Sequence, residues 1–98
     1  MRRPFLAGNW KMNTDSRSAS DLVAAVRASA DRRSDVDVAV FPPFVYLDEM
    51  ARALAGSRVR LGAQNMCDAD SGAHTGEISA AMLKDVGCEL VVLGHSER

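Results

Sequence analysis

The sequence predicts an α/β protein in which helices cover a parallel sheet, and three observations predict it. Short apolar, β-branched runs alternate with stretches of helical periodicity along the 98 residues. The runs are apolar at nearly every position rather than at every second one, the pattern of strands covered on both faces. Gly, Pro, Asp and Ser punctuate each change of pattern. The resulting order, β-α-β-α-β-α-β, is that of consecutive βαβ units. Nothing marks a linker or a second domain, so residues 1–98 read as one domain.

Taken in order, Phe5-Leu6-Ala7 lies between Pro4 and Gly8 and reads as a buried strand. Ser18-Ala19-Ser20-Asp21 offers a helix N-cap with an acid three residues on. Ala19, Leu22, Val23, Val26 and Ala30 then recur on one helical face. Val36 to Phe41 is β-branched, and Pro42-Pro43 ends it. A second helix spans about Tyr46 to Leu54, with Leu47, Met50, Ala51 and Leu54 on one side and Gly56 as its C-terminal cap. Val59 to Ala63 is the third strand. Gln64 to Gly76 is irregular, and loops of that length in compact domains are usually functional. Ile78, Met82, Leu83 and Val86 predict a short helix ended by Gly87, and Leu90 to Leu93 a fourth strand.

Composition excludes several classes. Twelve basic and thirteen acidic residues give a net charge of -1, with no basic patch for nucleic acid or a membrane surface. Arg32-Arg33 reads as a solvated turn. No apolar run reaches the roughly 20 residues of a membrane span, and the N-terminus lacks the apolar core of a signal peptide. Cys67 and Cys88 have no CxxC spacing and no histidine at ligand spacing, so they read as reduced thiols of a cytoplasmic protein, with no metal site.

Two strand ends carry the candidate chemistry. Gly94-His95-Ser96-Glu97-Arg98 follows the fourth strand. A nucleophile elbow reads G-x-S-x-G, but Arg98 stands where the last glycine permits the tight turn, so Ser96 is no hydrolase nucleophile. His95 lies at the C-terminal end of a parallel strand, where chemistry gathers in such folds. Gly8-Asn9-Trp10-Lys11-Met12-Asn13 has the same placement after the first strand. A fixed cation beside a neutral imidazole suits a substrate with an anion and a carbonyl. The cation stabilises charge on oxygen, and the imidazole donates a hydrogen bond and moves a proton. Taken singly, Lys11 also reads as a surface lysine and His95 as a structural strand-end histidine.

GNWKMN, then GAQN with SGAHTGEIS, then LGHSER occur in register from Phe5 to Arg98. In these motifs the chain resembles the triosephosphate isomerase family, which interconverts dihydroxyacetone phosphate and D-glyceraldehyde 3-phosphate through an enediol in glycolysis and gluconeogenesis. The resemblance implies the N-terminal part, about the first four strands, of a TIM (β/α)8 barrel. Asn9 and Lys11 match the family's substrate-binding pair, with Lys11 also catalytic. His95 matches the electrophile that polarises the carbonyl; in this family, an established case of such tuning, a helix N-terminus keeps the imidazole neutral. Glu97 matches the acid that pairs with the catalytic lysine, and Ser96 reads as a capping residue. In the family the long loop enters a pocket of the other subunit. Gln64, Asn65 and Thr75 are therefore expected to support the site and line a homodimer interface. His74 receives no catalytic role. No cofactor is implied, and the partners are a phosphorylated triose and a second copy.

Barrels of this kind, named for this enzyme family, run to about 250 residues. The family's glutamate base, phosphate-gripping lid and glycine-rich loops lie in the later half. Glu77 and Glu89 do not stand where that base would. Residues 1–98 alone are thus expected to be inactive, and a sequence cut short or a gene fragment is favoured over a complete protein. The alternatives are a non-catalytic half-barrel that binds a phosphate metabolite or completes a partner barrel, a decaying gene, or an unrelated flavodoxin-like domain.

Overall fold

A computed structural model describes residues 5–69 and 71–92. Its elements run β1 (Phe5–Asn9), α1 (Ser16–Asp31), β2 (Asp37–Phe41), a 3₁₀ turn (Phe44–Tyr46) leading into α2 (Leu47–Ala53), β3 (Arg60–Ala63), α3 (Ala80–Val86) and β4 (Leu90–Val91). The four strands form one parallel sheet in the order β1-β2-β3-β4. Each strand thus lies beside the one before it. A flavodoxin-like sheet changes direction at a switch point, so this order excludes that alternative. It is the winding of the N-terminal part of a TIM barrel.

The core lies between the sheet and the helices. Ala19, Val23 and Ala30 of α1, Leu47 and Met50 of α2, and Leu83 of α3 pack with Val40, Leu61 and Ala63 of the strands. Val40 and Leu61 are register partners and so share a face. Asn9 and Phe41 are partners one residue on and take the opposite face. The near-continuous apolar runs therefore do not mean equal cover on both sides. The face away from the helices buries Ala39 and Phe41 but leaves Asn9 exposed and Asp37 and Arg60 half-buried.

The expectations for β1 and the start of α1 need correction. β1 is a strand but not a buried one: all five of its residues are exposed, with Phe5 at 49% and Leu6 at 55%. Among the described residues it pairs with β2 alone, and burial of a strand depends on its neighbours rather than on its own composition. An open groove of about 320 Å³ runs beside it, lined by Leu6, Val26, Ser29 and Val38. Second, α1 begins at Ser16 and its N-cap is Asp15, not Ser18. The Asp15 carboxylate accepts the Ser18 N–H at 2.8 Å, and Ser18 Oγ accepts the Asp15 N–H at 2.9 Å. This reciprocal pair satisfies two helix-end donors at once, which Ser18 as cap could not do. The Ser18 N–H, followed by its hydroxyl, holds the Asp15 carboxyl below its usual range.

The remaining elements follow the pattern in their bounds, with three side-chain or capping departures. α3 is capped by Ser79 and ends at Gly87, which is left-handed at φ 103° as a C-terminal cap requires. Met82, placed on the apolar face, is instead 55% exposed. Leu22 likewise faces outward at 39%. Gly56 is left-handed at φ 81° but stands past Leu54, the residue that closes α2. At the N-terminal edge of the sheet, Asp31 accepts from Ser57 Oγ at 2.9 Å and from the Arg58 N–H at 3.2 Å. Arg58 donates to the carbonyls of Ala30 and Val36, and Arg27 to that of Ala53. These bonds tie the ends of α1 and α2 to the start of β3. Arg33 pairs with Asp35 through two bonds on the surface. Both cysteines are free, and burial pushes the Cys88 thiol up.

Candidate active site

The C-terminal edge of the sheet holds the candidate site. β1 ends at Asn9, and the Trp10 N–H continues the ladder by donating to the Phe41 carbonyl at 3.1 Å. Trp10 is buried in the helix-side core and anchors the chain there. The next residue breaks away. Asn9 Oδ1 accepts the Lys11 N–H at 2.9 Å, closing a tight side-chain turn. Lys11 takes φ 54°, a left-handed conformation uncommon for a residue with a side chain. Asn13 Nδ2 donates back to the Trp10 carbonyl at 2.8 Å. Thr14 is also left-handed at φ 84°, and its carbonyl accepts the Tyr46 hydroxyl at 3.3 Å.

Gln64 completes the hold. From the end of β3 its Nε2 donates to the Lys11 carbonyl at 2.7 Å and to the Phe41 carbonyl at 2.9 Å. Left-handed backbone at a non-glycine residue costs about 1–3 kcal/mol and persists only where the surroundings over-determine it. Here Asn9 grips the amide of Lys11 and Gln64 its carbonyl. The result is an exposed lysine on a fixed backbone at a strand end, suited to binding an anion and stabilising charge on oxygen.

The structure thus brings three of the expected residues, Asn9, Lys11 and Gln64, into one hydrogen-bonded unit. Asn65 is half-buried beside Gln64, and Thr75 is exposed on the long loop. That loop is anchored where the Cys67 N–H donates to the Ile78 carbonyl at 2.7 Å, and it turns at the left-handed glycines Gly72 and Gly76. His95, Ser96 and Glu97 lie outside the described residues. Among the described residues no cluster of His, Cys, Asp or Glu could hold a metal, and no helix is long and apolar enough to cross a membrane. Sequence reasoning missed Asn13 and the Phe41 carbonyl, which belong to the same hold, and the bond from Tyr46 to the Thr14 carbonyl beside it.

A sequentially wound parallel sheet with a fixed lysine at its C-terminal edge has the architecture of the N-terminal part of an α/β barrel. Residues 4–98 match the family profile of triosephosphate isomerase. The chain is 52% identical over 98 residues to the triosephosphate isomerase of Alkaliphilus oremlandii, covering all of this chain and 39% of that protein. It is 56% identical over 99 residues to that of Magnetococcus marinus, again all of this chain and 39% of the relative. It is 55% identical to that of Rubrobacter xylanophilus over 98 residues, 99% of this chain and 38% of the relative. The chain belongs to the triosephosphate isomerase family, and it spans about two fifths of the length of these relatives.

Proposed function

We propose that residues 1–98 supply the first part of a triosephosphate isomerase barrel and half of its active site. The observation that carries this reading is the lysine locked between Asn9 and Gln64 at the C-terminal sheet edge. Lys11 and Asn9 bind the phosphorylated triose, and the Lys11 ammonium stabilises negative charge on the enediolate oxygen. His95, three positions after Val92, polarises the carbonyl and passes a proton between the two oxygens. Glu97 matches the family's acid that pairs with the lysine, and Ser96 matches a capping residue. The base that removes the carbon-bound proton is the glutamate which the family carries in its later half. Residues 1–98 alone therefore do not isomerise. The reaction needs no cofactor, because a proton leaves one carbon and returns to its neighbour.

The same reading makes the working enzyme a cytoplasmic homodimer, with residues 1–98 an incomplete single domain. Gln64, Asn65 and Thr75 line or support the subunit interface. Exposed apolar side chains support a docking role: Met12 at 96%, Val45 at 81% and Met82 at 55%, the last two lining one groove. The test is a fusion of residues 1–98 to the part of the Rubrobacter xylanophilus relative beyond its matched 38%. The fusion is expected to turn over triose phosphate, with Lys11→Ala and His95→Gln each lowering kcat/KM by at least about a hundredfold. A folded fusion indifferent to both substitutions contradicts the assignment.

A further inference from the structure

We infer that Gly62 and Phe41 form a positioning device for Lys11; the inference rests on the isomerase reading above. Gly62 lies in β3, directly after Leu61, the register partner of Val40. The Phe41 ring is seated on its α-carbon. A methyl group placed at Gly62 would overlap the Cδ2–Cε2 edge of that ring and lie 3.0 Å from Cζ. Only glycine permits this approach.

The ring is enclosed. Phe41 is 4% exposed, and Pro42, which follows it, is fully buried. A residue before proline is confined to extended backbone, so the Phe41 main chain has little torsional freedom, and burial leaves its ring little space to rotate into. Relief must come from a shift of β2 against β3, and the Phe41 carbonyl moves with it. That carbonyl accepts both the Trp10 N–H and Gln64 Nε2. Gln64 in turn holds the Lys11 carbonyl, and Gln64 stands two residues after Gly62 on the same strand end. The lysine backbone is therefore indexed to β2 on one side and β3 on the other, and the ring on Gly62 sets the spacing between them. Gly62 touches no substrate; it acts through Phe41 and Gln64.

The test uses the fusion described above, with Gly62→Ala, Phe41→Leu and the double variant. Steady-state kinetics and hydrogen exchange at the Trp10 and Lys11 amides are read together. Displacement of a catalytic group by about 1 Å can cost a hundredfold, so Gly62→Ala is expected to lower kcat/KM at least about tenfold. Trp10 amide exchange is expected to rise by about tenfold as its bond to Phe41 loosens. Phe41→Leu makes room for the added methyl, so the double variant is expected to recover most of both losses. A folded Gly62→Ala variant with kcat/KM and Trp10 exchange within about twofold of the parent overturns the inference, as does a double variant no better than Gly62→Ala. If Gly62→Ala does not fold, Phe41→Leu decides alone, since it adds no atom. It is then expected to lower kcat/KM at least about threefold and to speed Trp10 exchange, and no change in either overturns the inference. Loss of the isomerase reading shows separately, as a parent fusion that is inactive or indifferent to Lys11→Ala. Trp10 exchange still decides the positioning claim in that case.

Discussion

The side-chain amide of Gln64 donates to the backbone carbonyl of Lys11 at 2.7 Å, across 53 residues of chain. The same nitrogen also reaches the Phe41 carbonyl. One side chain at the end of β3 thus fixes two backbone groups at the ends of β1 and β2. Gln64→Leu is expected to take one hydrogen bond from each carbonyl, that of Phe41 keeping the Trp10 N–H, and to cost about 2 kcal/mol in denaturation of the fusion. Lys11 then loses one of the two grips on its left-handed backbone, and kcat/KM is expected to fall about ten- to a hundredfold. Unchanged kinetics in a destabilised variant would show that Gln64 serves the fold alone.

Thr14 should be improvable. A β-branched residue at φ 84° is an outlier, and its Oγ1 is buried without a hydrogen-bond partner among the described residues. Left-handed backbone costs a side-chain-bearing residue about 1–2 kcal/mol, partly offset by the freedom glycine adds to the unfolded chain. Thr14→Gly is expected to stabilise the fusion by about 1 kcal/mol in urea titration. The bond from Tyr46 to the carbonyl of residue 14 survives the change. A loss of stability would mean that the threonine is held without strain.

Asp31 makes stability depend on acid. The Arg58 N–H first, then the Ser57 hydroxyl and Arg27, hold its carboxyl below the ordinary value near 3.8. A carboxyl with a lower pKa folded than unfolded binds fewer protons in the folded state. Its contribution is therefore complete above the ordinary value and is lost as pH falls through the lowered one. The melting temperature is expected to drop between about pH 5 and about pH 2. Asp31→Asn is expected to lie lower at neutral pH and to fall less steeply in acid. Parallel curves for the two proteins would contradict this account.

Much of this was legible in the sequence because local pattern sets it. Among the described residues, alternation of β-branched runs with helical periodicity located the strands and α-helices to within a few residues, though not the 3₁₀ turn at Phe44–Tyr46. Asn9 and Lys11 were found because they stand at a strand end. What could not be read depends on contacts distant in sequence. Phe5 and Leu6 are apolar, but their burial is decided by what lies beside β1. Ser18 resembles an N-cap, yet Asp15 wins because the two residues satisfy each other's amides. Gln64 was expected at a subunit interface; its bond to Lys11 arises from the register that brings the ends of β1 and β3 together. A large residue ending one strand, opposite a glycine in the next, was the available sign of the Phe41–Gly62 contact.

The central claim is that residues 1–98 carry the electrophilic half of an isomerase site and lack its base. The most direct measurement follows deuterium from D₂O into dihydroxyacetone phosphate by NMR. It compares the fusion, the fusion with Lys11→Ala, and residues 1–98 alone. The account predicts incorporation by the fusion, a loss of at least about a hundredfold in Lys11→Ala, and none above background from residues 1–98. Incorporation by residues 1–98 alone, or undiminished incorporation in folded Lys11→Ala, would contradict it.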